Sequence, residues 1–260
     1  MSLSDEGELY MKLVIFDLDD TLLNSKEEIS ERNREAILNC SKKGMKIGYI
    51  TARSPRKMGE FLQGLPCDCI SNYNGATIYA DNKLIEENVI KYESAMDYIK
   101  KLTTIAPDIG ICAYFEPYCY KDKKIRSFIT QEALEYDFYS TPLHNFQRIR
   151  LFFNDYVNID FSKFISSEMQ YHKSHDSAII TNKLADKGRA INLLMHYFGV
   201  NKKDTISFGD NISDIPIMEA SGTSVAMGNA VSQVKDIADY ITLSNDEDGI
   251  AEYIEKYLLN

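Results

Sequence analysis

Short apolar runs alternate with stretches whose apolar residues recur every three or four positions from Lys12 onward, and that alternation sets the expected elements. KLVIF, Lys12 to Phe16, predicts a strand. Glu28 to Lys43 places Ile29, Ala36, Ile37 and Cys40 on one helical face and runs into Gly44, a helix stop. KIGYI, Lys46 to Ile50, predicts the next strand, and Pro55 to Gln63 a helix with proline at an early position. CISNYNGATIYA reads as two extended runs joined by a turn at Asn74-Gly75. Strands and helices in this alternation build a parallel α/β sheet.

The pattern changes between residues 81 and 185. GICAYF, RIRLFF and SAIIT predict strands, and Ser94 to Ile105 and Ile159 to Met169 predict helices, which describes an inserted α+β segment with antiparallel pairing. After Asp186 the parallel style returns. A helix over Lys187 to Phe198, the strand TISFG, a helix over Ile212 to Ala220, the strand TSVAM, a helix from Val231 and a last one ending at Leu258 follow in turn. The organisation is thus a core of residues 11–80 and 186–260 interrupted by a domain of 81–185, without internal repeats. Residues 1–10 are polar, precede a second methionine at Met11, and are expected to be a tag or an unstructured start.

Composition narrows the function classes. The 260 residues carry 39 acidic and 29 basic side chains, a formal charge of -10, and no run rich in Lys and Arg. Such a chain repels nucleic acid and anionic lipid, so neither is an expected partner. Five cysteines without a CxxC pair fit free thiols in a reducing cytoplasm. With no signal-peptide core and no apolar run of about 18 residues, neither secretion nor a membrane span is expected. The oligomeric state is left open.

Polar residues collect where the predicted strands end. Asp17 and Asp19 follow KLVIF, Thr51 and Arg53 follow KIGYI, and Gly209, Asp210 and Asp214 follow TISF. Ligands of open parallel sheets gather beyond the carboxyl ends of the strands. Any one of these acids taken alone is equally a turn former or helix cap. Together they repel unless a cation sits among them, and an all-oxygen donor set favours Mg2+ over zinc. His172 and His175 are spaced HxxH but lack companion ligands, and read as solvated or structural.

DLDDTLL at 17 to 23, ITAR at 50 to 53, Lys187 in DKGRAI and GDNISD at 209 to 214 resemble, in order and spacing, the four motifs of the haloacid dehalogenase-like (HAD) hydrolases. The large insertion between the second and third motifs, SNYNGA at 71 to 76 and VAMGNA at 225 to 230 are similar to the Cof-type phosphatases with a type II cap. The resemblance implies a Rossmann-like parallel-sheet core with an inserted α+β cap closing over a small phosphorylated metabolite, most simply a sugar phosphate. Two positions depart from the pattern: Ser213 stands where the subfamily has Asn, and Ala52 where it has Gly.

The resemblance also implies roles. Asp17 is the nucleophile that forms an aspartyl-phosphate, and Asp19 the acid and base. Asp17, the Asp19 carbonyl and Asp210 bind Mg2+, while Asp214 holds a bound water or orients Lys187. Thr51 and Lys187 bind the phosphoryl oxygens. An ordinary early-helix lysine is the other reading of Lys187, although the helix dipole disfavours a cation there. Asp20 and Thr21 shape the turn. Arg53, Asn74 and Asn211 are candidate substrate contacts, Arg53 being equally a surface ion-pair residue. Arg148, Arg150, His175 and Lys183 are candidates in the cap. A phosphomutase on the same intermediate, or a non-catalytic phosphoaspartate signalling module, are the alternatives; a signalling module has no use for Asp19.

Overall fold

The computed structural model describes residues 12–115, 118–122, 133–135, 144–153, 158–174 and 176–260, so the expectation for residues 1–10 lies outside the described residues. The chain divides into two compact units, Met1–Ile85 with Asp186–Asn260 and Glu86–Ala185.

The first unit begins with β1 (Leu13–Phe16), α1 (Glu31–Lys42), β2 (Lys46–Ile50), α2 (Met58–Phe61), β3 (Cys69–Asn72), β4 (Thr77–Ala80) and β5 (Lys83–Glu87). Every residue of β1 is fully buried, which is why the strand reads as an unbroken apolar run. Each such side chain contributes roughly 1.5–3 kcal/mol of burial. The α1 helix starts at Glu31 and not at Glu28 because the Ser30 hydroxyl accepts the Asn33 N–H at 3.2 Å and caps it. The Pro55 segment is a 3-10 turn that leads into the short α2.

The second unit carries α3 (Tyr92–Ile105), β6 (Gly110–Phe115), β7 (Tyr118–Lys121), β8 (Leu134–Glu135), β9 (Arg148–Phe152), β10 (Met169–Lys173) and β11 (Ser177–Asn182). Its sheet runs β10-β11-β9-β6-β7-β8 among the described residues, antiparallel except where β7 meets β8. Ile111, Ala113, Ile149, Leu151, Ala178 and Ile180 alternate onto one face and form a core with Ala95, Met96, Ile99 and Leu102 of α3. The helix expected over Ile159 to Met169 is a correction. Only a 3-10 turn, Phe161–Phe164, forms there, and Met169 opens β10, paired with Asn182 of β11. Sheet pairing overrides the local helical pattern.

The chain then returns to the first unit as α4 (Lys187–Phe198), β12 (Thr205–Gly209), α5 (Ile215–Ala220), β13 (Thr223–Ala226), α6 (Ser232–Ile237), β14 (Tyr240–Ile241) and α7 (Gly249–Tyr257). Asp186 caps α4 by accepting the Arg189 N–H at 2.8 Å, and Gly199 ends it in the left-handed conformation at φ 66°. The sheet order is β14-β13-β12-β1-β2-β3-β4-β5, parallel from β14 to β3. The first unit gives way to the second at 85/86, within β5, which forms the edge strand of this sheet. From β1 the chain crosses through α1 to β2 on one side, whereas from β12 it crosses through α5 to β13 on the other. Strand order reverses between β1 and β12, and right-handed crossovers then put the two helices on opposite faces. No helix among the described residues is long and apolar enough to cross a membrane.

Candidate active site

The reversal point is where Asp17 and Asp210 emerge. The Asp17 N–H still donates to the Phe208 carbonyl at 3.1 Å, so β1 and β12 stay zipped to their last residues and deliver the two acids side by side. Asp17, Asp210 and Asp214 are buried, and each offers a carboxylate oxygen within 4.8 Å of the others. Among the described residues this is the one acidic cluster of metal-binding geometry.

Lys187 closes the cluster. Its Nζ donates to Asp17 Oδ1 and to Asp214 Oδ1, each at 2.6 Å, and the side chain is 3% exposed. The other Asp214 oxygen, Oδ2, accepts the N–H groups of Asp210 at 3.1 Å and Asn211 at 3.0 Å. Such an approach requires Gly209, since a Cβ there would lie 2.6 Å from the Asp214 Cβ. Asp210 Oδ1 accepts the Thr21 hydroxyl at 2.7 Å.

One ammonium faces three carboxylates, and the shortfall of positive charge shows in the acids. Burial pushes Asp17 up to about 8, against the pull of Lys187 and with the Asp214 charge adding to the rise. Burial likewise lifts Asp210 to about 6, opposed by the Thr21 hydrogen bond. For Lys187 burial works against the charge, but Asp17 and Asp214 outweigh it and hold the ammonium protonated above its usual range. The donors are all hard oxygens and the cluster is short of positive charge, so its residues fit a divalent cation.

The loop after Asp17 turns tightly, with the Leu23 N–H donating to the Leu18 carbonyl at 2.8 Å, Asp20 at φ 56°, and Asn229 Nδ2 donating to the Asp20 carbonyl at 2.7 Å. Asp19 stands outside the buried three, its side chain 46% exposed. Arg53 Nε and Nη2 donate to Asp19 Oδ1 at 2.7 and 2.5 Å, and Nη2 also reaches Glu27 Oε1 at 3.1 Å.

Thr51 is fully buried, and its Oγ1 accepts the Arg53 N–H at 3.1 Å. The Asn74 N–H donates to the Thr51 carbonyl at 2.9 Å from a left-handed turn at φ 57°. Gly75 follows at φ 103°, where a Cβ would lie 2.6 Å from the Asp186 carbonyl oxygen, so only glycine lets the turn rest against the start of α4. Asn211 and Ser213 are exposed beside Asp214.

The structure thus brings Asp17, Lys187, Asp210 and Asp214 together, with Asp19 and Arg53 paired to one another and Asn74 tied to Thr51 through the backbone. In the second unit, Arg148 lies over the Tyr114 ring at 4.0 Å and Arg150 over Phe152 at 4.8 Å. Lys183 is exposed past the end of β11, and His172 is exposed on β10. His175 falls outside the described residues. Sequence reasoning missed two participants. Thr21, read as a turn former, anchors Asp210, and its place in DLDDT was the available signal. Glu27 carried none, because only the fold brings it to Arg53.

Comparison with known proteins fits this arrangement. The model of a family described as haloacid dehalogenase-like hydrolase matches residues 14–254. Phosphatase YwpJ of Bacillus subtilis is 25% identical, with 96% of this chain and 100% of that protein covered. The 5-amino-6-(5-phospho-D-ribitylamino)uracil phosphatase YwtE of the same organism is 28% identical over 95% of this chain and 98% of its own. A haloacid dehalogenase-like hydrolase structure from Bacteroides thetaiotaomicron superposes with a TM-score of 0.81 at 25% identity, covering 95% of this chain and 99% of that one.

Proposed function

The chain belongs to the haloacid dehalogenase-like hydrolases and is a phosphatase, and from that premise we propose that it hydrolyses small phosphorylated metabolites through a phosphorylated Asp17. The observation that carries this reading is Lys187 Nζ bridging Asp17 and Asp214 at 2.6 Å each, a fixed cation against a buried carboxylate at the sheet's switch point.

In the first half of the proposed reaction an Asp17 oxygen attacks phosphorus in line, and the bond from phosphorus to the leaving oxygen breaks. Asp19 gives that oxygen its proton. In the second half water attacks phosphorus, Asp19 takes a proton from it, and Asp17 is released with inorganic phosphate. Lys187 holds Asp17 in place and puts positive charge beside the phosphoryl oxygens, and the buried Thr51 hydroxyl is a donor to one of them. Asp214, both of whose oxygens are engaged, orients Lys187 and the loop after β12.

Mg2+ is the cofactor this reading assigns; Asp17, Asp210 and the Asp19 carbonyl would hold it, with Asp214 holding a bound water or orienting Lys187. When bound it supplies the positive charge that three buried carboxylates lack and that a transferring phosphoryl group requires. Sugar phosphates are the substrate class this reading favours. A phosphorylated sugar alcohol is a second one, favoured by the phosphoribityl substrates named for YwtE and for YcsE, which is 26% identical over 96% of this chain.

Turnover of p-nitrophenyl phosphate with Mg2+ tests the reaction, with Asp17→Asn as control. Hydrolysis that vanishes in the variant supports it; equal rates would contradict it. A mutase would instead need a phosphorylated acceptor for turnover, and a signalling module would keep its phosphoaspartate.

A further inference from the structure

We propose that Arg53 is a positioning residue for Asp19, holding that carboxylate as the base for the water that clears the phosphoryl group from Asp17. The inference rests on the phosphatase reading above and concerns its second half.

Two nitrogens of the guanidinium, Nε and Nη2, converge on a single oxygen, Asp19 Oδ1, at 2.7 and 2.5 Å. Among the described residues no side chain or N–H donates to Oδ2. The grip therefore fixes the carboxylate while leaving one oxygen to accept a proton. Asp19 needs such a partner. It is 46% exposed and lies outside the buried cluster.

Arg53 is itself anchored on four sides. Its Nη2 reaches Glu27 at 3.1 Å, its guanidinium lies 4.6 Å from the Phe61 ring centre, its N–H donates to Thr51 Oγ1 at 3.1 Å, and its carbonyl accepts the Tyr73 N–H at 3.1 Å. Glu27 supplies its carboxylate from a left-handed backbone at φ 58°, a conformation seldom used by a long side chain.

The guanidinium carries only donors and spends two of them on Oδ1, which leaves Oδ2 as the oxygen that can take a proton. Its help therefore falls on the second half of the reaction. There the water oxygen bonds to phosphorus, one water proton goes to Asp19 Oδ2, and the bond from phosphorus to the Asp17 oxygen breaks with its electron pair returning to Asp17. A phosphate contact made by Arg53 would instead serve binding and the first half.

Pre-steady-state hydrolysis of p-nitrophenyl phosphate by the full chain with Mg2+ separates these roles, because nitrophenolate leaves without a proton. For Arg53→Ala we expect a burst of about one equivalent of nitrophenolate followed by a slow steady state. We expect kcat to fall at least about tenfold while kcat/KM changes less than about threefold, within the span of a general base. In an Asp19→Asn background the same substitution should lower kcat no further. Arg53→Lys, which keeps the charge and the stem, should lie between and shows that the site still folds. A fall in kcat/KM as large as that in kcat, without a burst, would overturn the inference in favour of a substrate contact. An equal further loss in the Asp19→Asn background would overturn it in favour of a purely structural role. Full turnover by Asp17→Asn would instead overturn the phosphatase reading itself.

Discussion

Lys187 Nζ and Asp17 Oδ1 lie 2.6 Å apart in the buried centre of the first unit, although 170 positions separate them in the chain. The pair is held from both ends, by the cap on α4 behind Lys187 and by the β1–β12 pairing behind Asp17. It leaves two further buried carboxylates, Asp210 and Asp214, sharing the same ammonium or relying on hydrogen bonds.

That imbalance makes the two partners respond with opposite sign. Lys187→Met strands three buried acids, and we expect a loss of stability of about 3–5 kcal/mol together with loss of activity. Asp17→Asn keeps the shape and replaces a buried ionisable acid of the cluster by a neutral amide. Its melting temperature should equal or exceed that of the unaltered protein while hydrolysis falls by more than about a thousandfold. Calorimetry beside the p-nitrophenyl phosphate assay checks both.

The acids also set a pH dependence. Asp17 ordinarily titrates at 3.8 but at about 8 in the fold, so between those values the folded chain keeps a proton that the unfolded chain has released. Stability must then fall as pH rises through that window, and Asp210, raised to about 6, adds to the fall over its lower part. Lys187 acts in the same direction but only at the alkaline end, since its contribution is complete below its ordinary value of 10.5 and is lost as pH rises above it. Melting scans in chelator should show a lower melting temperature at pH 8 than at pH 5. Mg2+ should raise it most at pH 8, where less proton displacement opposes binding.

Thr21 gives a prediction that the turn-former reading does not. Its hydroxyl donates to Asp210 at 2.7 Å and is fully buried, so Thr21→Val keeps the packing and frees the Asp210 carboxylate. Outer groups that orient a metal ligand are worth about 10- to 100-fold in affinity. The Mg2+ concentration giving half-maximal activity should rise by about tenfold, with the p-nitrophenyl phosphate KM at saturating Mg2+ changed far less.

Sequence reading reached the parts of the molecule where local pattern and tertiary role agree. KLVIF, TISFG and the α4 bounds were legible because the strands are buried on both faces and Asp186 and Gly199 punctuate the helix by their own chemistry. Two strand ends marked the acids and a third marked Thr51 and Arg53, since polar residues directly after buried strands have few other places to go. The Ile159 to Met169 stretch misled because its apolar spacing suits a helix, while the deciding partner, β11, lies later in the chain. Arg53 was ambiguous for a related reason. Its partners Asp19 and Glu27 lie 34 and 26 positions away, and Glu27 meets it from a left-handed backbone that no side-chain pattern announces. Thr21 was visible but undervalued, because a hydroxyl in a turn looks the same in sequence whether or not it meets a carboxylate 189 positions away.

The claim at the centre is that phosphate passes through Asp17. Quenching the protein during turnover of p-nitrophenyl phosphate, reducing it with borohydride and mapping the peptides reads this directly, because borohydride converts an aspartyl-phosphate to homoserine. Homoserine at position 17, absent without substrate, is the result this account predicts. Steady turnover with aspartate intact at position 17, or homoserine at another acid of the cluster, would contradict it.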